Sequence, residues 1–165
     1  MAGKRSAGLL LYRRGADGGV EVLLAHMGGP LWARRDAGAW TVPKGEYVPP
    51  EEPLAAARRE FAEELGTAPP AGRHVPLGDV RQSGGKVVAV WAVEGDLDPD
   101  RIAPGAFEME WPRGSGEVRS FPEIDRVAWW TPERARGLLI TAQRVFLDRL
   151  AEWVGGGGDG AGGDG

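Results

Sequence analysis

Apolar residues along the chain follow two different periods. Ala7 to Tyr12 and Val20 to His26 are short apolar runs on either side of Gly15-Ala16-Asp17-Gly18-Gly19, the pattern of a β-hairpin. Gly28 to Gly38 reads as a loop rich in Gly, Pro and Arg, and Trp40 to Pro43 as a short strand. The period then changes. Leu54, Ala57, Phe61 and Leu65 step by three and four, which predicts a helix over Pro53 to Leu65 with one apolar stripe. Pro53 suits its first turn and Gly66 the position just past its end. Val75 to Arg81 and Lys86 to Glu94 predict two strands around Ser83-Gly84-Gly85, and Gly95 to Gly116 a long connection. Val127 to Trp130 predicts a further strand, and Thr131-Pro132-Glu133 a cap opening a helical region. Ala142 to Trp153 carries a second amphipathic helix with Phe146, Leu150 and Trp153 on one side. Hairpin, helix, strands and helix in that order predict an α/β (α+β) domain layered helix–sheet–helix.

Composition narrows the classes. The chain has 165 residues, 42 % hydrophobic and 27 % charged, enough for one domain with its own core. That domain is expected over residues 1–154. The remaining stretch, Gly155 to Gly165, holds only Gly, Ala and Asp, can bury almost nothing, and is expected to be a disordered tail. The absence of cysteine excludes disulfides, thiolate zinc sites and Cys nucleophiles, and two histidines, His26 and His74, argue against a multi-His metal site. A formal charge of −4 argues against a nucleic-acid scaffold. No apolar run is long enough for a membrane span or a signal peptide, so the expected setting is cytoplasmic.

The chemistry is concentrated between Gly45 and Gly66. Glu60, Glu63 and Glu64 fall within one helical turn, where they repel one another. They also lie toward the helix C-terminal half, where the macrodipole disfavours negative charge. Two unfavourable placements at once call for a cation. With no thiolate and little imidazole, a hard ion on oxygen ligands, Mg²⁺ or Mn²⁺, is the natural choice.

The full pattern is Gly45, five residues, Glu51, seven residues, Arg59-Glu60-Phe61-Ala62-Glu63-Glu64, then Leu65-Gly66. It resembles the Nudix box, and its seven fixed identities would coincide by chance about once in 10⁸ starting points. Thr67 departs from the bulky aliphatic residue usual there, at a packing position. The resemblance implies a Nudix-like helix–sheet–helix sandwich with a mixed central sheet. It also implies an Mg²⁺-dependent hydrolase that cleaves a phosphoanhydride bond in a nucleoside diphosphate-linked small molecule. By the same resemblance Glu63 and Glu64 are metal ligands, Glu60 a ligand or the base that activates water, and the Lys44 carbonyl completes the metal shell. Arg59 holds a glutamate in place through its planar fork. Glu51 is a contact at the helix start. A further acid from a later loop is implied, with Glu123 favoured over Glu108 and Glu110 by its place before Trp129. The family resemblance also leaves room for a homodimer.

Trp40-Thr41-Val42-Pro43-Lys44-Gly45 resembles the lead-in of family members that act on diadenosine and diphosphoinositol polyphosphates. It implies an extended polyphosphate substrate, with Lys44 and Arg34 on its phosphates and Trp40, Trp32 or Trp111 stacking on a base. The alternatives are a house-cleaning nucleoside triphosphate pyrophosphatase and a non-catalytic nucleotide sensor. The second of these usually lacks box carboxylates, all of which are present here.

Overall fold

The computed structural model describes residues 4–157. Nine strands and three α-helices run in the order β1 (Arg5–Arg14), β2 (Val20–Met27), β3 (Trp40–Thr41), β4 (Lys44–Tyr47), α1 (Pro53–Leu65), β5 (His74–Arg81), β6 (Val87–Glu94), β7 (Ala106–Glu110), β8 (Val118–Pro122), β9 (Ile124–Trp130), α2 (Pro132–Leu138) and α3 (Arg144–Glu152). A π-helical turn, Trp153–Gly157, follows α3, so the described chain continues its helix slightly past Trp153. The remainder of the expected tail, residues 158–165, lies outside the described residues.

The central sheet is mixed. Its strands are ordered β3-β2-β1-β6-β5, with β4 also pairing β1 and β9 also pairing β2. β1 runs antiparallel to β2 and β4 but parallel to β6. Strand alternation divides the core between two faces. Leu9 and Leu11 of β1 join Leu23 and Val127 against Ala57, Phe61 and Leu65 of α1. Leu10 and Tyr12 join Leu24 and Val90 against Ala135 of α2 and Phe146 and Leu150 of α3. Helix, sheet and helix are therefore stacked as the periodicities predict. No helix is long and apolar enough to cross a membrane among the described residues.

α1 begins and ends where its sequence signals lie. Pro53 opens it, and Gly66 closes it in the left-handed conformation at φ 68°, its N–H bonded to the Ala62 carbonyl. The predicted stripe needs one adjustment, since Ala56 is buried with Ala57, Phe61 and Leu65 while Leu54 is only half-buried. Three strands, β4, β7 and β8, have no counterpart among the elements the sequence predicts. β4 is polar and short, and is held as strand by pairing of Lys44 with Gly8 and Gly45 with Ala7. β7 and β8 form a separate two-stranded sheet inside and beyond the expected long connection. Phe107 and Met109 are half-buried while Glu108 and Glu110 are exposed, so β7 carries the period of two that marks a strand.

Candidate active site

The first turns of the site come from the β4–α1 segment. Gly45 on β4 lies so close to α1 that a Cβ there would overlap the Glu60 carboxylate. Glycine is required by this approach. One residue earlier, the Lys44 backbone N–H and the Lys44 ammonium both favour the charged form of the half-buried Glu64 carboxylate. Burial pulls the Lys44 ammonium below its usual pKa, against the opposing pull of Glu64.

Arg59 organises the rest of the helix face. Its Nε and Nη2 donate to the two Glu51 oxygens at 2.7 and 2.8 Å, a forked pair. Its Nη1 donates to Glu60 Oε1 at 2.8 Å and to Glu63 Oε2 at 3.1 Å. These bonds raise the Arg59 pKa further, and the same fork holds Glu51 below the ordinary carboxylate range. Glu60 goes the other way: burial raises its pKa, and Arg59 only partly offsets that. Its side chain is 15 % exposed, against 59 % for Glu63.

Glu123 arrives from the far side of the sequence. Its backbone N–H donates to the Gly105 carbonyl and its carbonyl accepts from Gly28 N–H, both at 2.9 Å. These two bonds seat it between the start of β7 and the end of β2. From there its negative charge acts on both Glu60 and Glu64. Burial first, then the charges of Glu123 and Glu60, push the Glu64 carboxyl up to about 8.

The other expected acids are placed elsewhere. Glu110 accepts from Gly114 N–H at 3.0 Å and Gly116 N–H at 3.2 Å, closing the β7–β8 turn. Glu108 is exposed on the same hairpin. The expectation for Trp40 is corrected. Its side chain is 1 % exposed and packs edge-on against His26 and Trp130, so it has no face to offer a base. Arg34 is exposed on the loop between β2 and β3, and Trp32 on that loop is half-buried.

His26, to which the sequence assigns no role, is fully buried beneath this loop. Its Nδ1 lies 2.9 Å from the Asp125 carboxylate and its Nε2 2.6 Å from the Arg35 carbonyl. A histidine without a local partner could not be placed from sequence, because Asp125 is 99 residues away.

The arrangement is an all-oxygen donor set with excess negative charge, gathered from a helix and the distant bend between β8 and β9. A family model for the NUDIX domain matches residues 3–154. The chain belongs to the Nudix hydrolase family. This Nudix domain spans nearly the whole chain, and the protein is a hydrolase acting on phosphoanhydride bonds. Solved structures share its fold. An Ap4A hydrolase from C. elegans, as a binary complex, is 24 % identical with a TM-score of 0.63, covering 93 % of this chain and 98 % of that one. A mutT/nudix family protein from Listeria innocua is 15 % identical with a TM-score of 0.61, covering 94 % and 96 %. The NUDIX domain of Shewanella oneidensis NrtR, complexed with ADP ribose, is 14 % identical with a TM-score of 0.60, covering 93 % and 90 %. No curated protein matches by sequence.

Nudix enzymes generally use a divalent metal. Among the described residues the acids are not drawn together into a closed cage of three or more ligands. The donor chemistry nevertheless fits a hard cation. Glu64 is a half-buried carboxyl whose pKa is raised first by desolvation and then by the charges of Glu123 and Glu60, and a cation would relieve that repulsion.

Proposed function

We propose that this Nudix hydrolase is Mg²⁺-dependent and cleaves a phosphoanhydride bond in a nucleotide carrying an extended polyphosphate, a dinucleoside polyphosphate. The observation that carries the reading is the convergence of Glu60, Glu64 and Glu123 on one charge cluster beside Lys44. Glu63, Glu64, Glu123 and the Lys44 carbonyl would hold the metal. When bound, divalent cations offset phosphate charge and lower the pKa of a coordinated water.

The remaining work falls to the chain's own groups. Arg59 fixes Glu60 through Oε1, leaving Oε2 to accept the proton of the attacking water. The Lys44 ammonium is a compact point charge at the inner end of the site, suited to a phosphate oxygen. Lys86 adds positive charge beside it and pairs with Glu46 at 3.7 Å. The lead-in Trp40 to Gly45 supports a polyphosphate longer than that of a nucleoside diphosphate.

Phosphorus NMR of the protein with Mg²⁺ tests this on dinucleoside polyphosphates, nucleoside triphosphates, ADP-ribose and a diphosphoinositol phosphate. The expected result is turnover of the dinucleoside polyphosphates, lowered about 10³-fold in Glu64→Gln with the fold intact. Release of pyrophosphate from triphosphates alone would replace the substrate assignment. Turnover undiminished in Glu64→Gln would remove Glu64 from the metal site.

A further inference from the structure

A cavity of about 540 Å³ opens between the end of β2, the end of β5 and the segment before α3. Met27, Trp32 and Ile140 form apolar walls, and Gln82, Ser83 and Thr141 bring polar groups to it. Two short links join it to the catalytic cluster. Met27 precedes Gly28, which bonds Glu123, and the amide network below the cavity contacts Val42, two residues before Lys44.

That network fixes which way one side chain faces. Gln143 is fully buried. The Val42 N–H donates to Gln143 Oε1 at 2.9 Å, and a backbone N–H cannot accept, so the Gln143 amide has a single orientation. Its Nε2 then donates to Thr41 Oγ1 at 3.0 Å and to Gln82 Oε1 at 2.8 Å. Gln82 therefore has its oxygen turned inward, and its own Nε2 has no partner among the described residues. The orientation passes from Val42 through Gln143 to Gln82. The Gln82 Oε1 is thus engaged by Gln143, and the unpartnered polar group that Gln82 brings to the cavity is its Nε2, a pair of N–H donors.

We propose that this cavity receives the base of the nucleotide and that Gln82, held donor-outward by Gln143, makes the site select a 6-oxopurine over a 6-aminopurine. The proposal rests on the nucleotide-hydrolase reading above. Size and walls suit a base, since the cavity exceeds a purine and Trp32 and Met27 supply surface against its face. O6 and N7 of a 6-oxopurine are both acceptors, whereas a 6-aminopurine sets a donor beside N7. An amide that turns its N–H donors to the base satisfies the first edge and opposes its own hydrogens to the second.

The experiment is an NMR titration of the full chain, without added metal, with inosine and adenosine 5′-monophosphates, following the Trp32 indole and Gln82 amide signals. The expected result is about tenfold tighter binding of the inosine nucleotide. In Gln82→Glu one carboxylate oxygen still accepts from Gln143 while the other presents an acceptor, so the preference is expected to reverse with an unchanged melting temperature. Gln82→Met, which has the same length and no donor, is expected to bind both nucleotides alike. Equal affinities in the wild-type chain, or an equal change for both nucleotides in Gln82→Glu, would overturn the proposal. Turnover of both base classes at equal kcat/KM would overturn it and leave the catalytic reading standing. Base-selective binding with no hydrolysis would do the reverse.

Discussion

Three carboxylates on Glu51, Glu60 and Glu63 share the one guanidinium of Arg59, and Glu64 is left outside its reach. That difference explains why the box acids are in unlike states. Glu51 is held low by a forked pair, while desolvation and the charges of Glu123 and Glu60 push the half-buried Glu64 up to about 8. The consequence for stability has a definite sign. Without metal, the folded protein keeps the Glu64 proton up to about pH 8, and the unfolded chain releases it near the ordinary value of 4.5. Between those values the folded state binds more protons, so stability falls as pH rises through that window. The limiting slope is about 1.4 kcal/mol per pH unit. Thermal melts of chelator-treated protein are expected to show this fall, and Glu64→Gln to flatten it. A slope that survives in Glu64→Gln would locate its origin in another group.

At the scale of elements, the β7–β8 hairpin and the entry to β9 separate two acids that look alike in sequence. Glu110 and Glu123 each lie two or three residues after a phenylalanine, Phe107 and Phe121. The hairpin turns Glu110 onto its own Gly114 and Gly116 amides, whereas the bonds from Gly28 and to Gly105 seat Glu123 at the carboxylate cluster. Glu110→Gln is therefore expected to lower stability by up to about 1 kcal/mol, through weaker turn bonds, with turnover unchanged. Glu123→Gln is expected to slow turnover by about 10²-fold with little change in melting temperature. Steady-state kinetics and thermal melts of the two variants check the pair; loss of turnover in Glu110→Gln instead would exchange their roles. Only local spacing distinguishes such acids before folding, and local spacing does not say which way a hairpin folds back.

For the whole molecule, the sheet divides one chain into two cores, and Trp40 belongs to the core under α2 and α3. Its ring is enclosed by His26 and Trp130, and its Nε1–H reaches Asp36 Oδ1 at 3.4 Å. Trp40→Ala is expected to cost about 3–5 kcal/mol in denaturant unfolding, as removal of a large buried aromatic does. A residue that served only to stack on substrate would instead raise KM and leave stability unchanged.

Local periodicity determined much of this protein. The Pro53–Leu65 helix, its Gly66 cap and the crowding of Glu60, Glu63 and Glu64 on one turn depend on residues three and four apart, whose geometry is the same in any helix. The hairpin of β1 and β2 and the helix–sheet–helix layering were legible for the same reason, because each element carries its own period. Tertiary structure decided what depends on distant pairs. Glu123 reaches the carboxylates only because Gly28 and Gly105 hold its backbone. Trp40 is buried because His26, Trp130 and the chain at the end of α2, Leu139 and Ile140, meet around it. The Gln143–Gln82 contact spans 61 residues and the Gln143–Val42 contact 101. Hydrogen-bond orientation passed along such a chain is set by which donors and acceptors the fold brings within about 3 Å, a distance that spacing along the backbone does not encode.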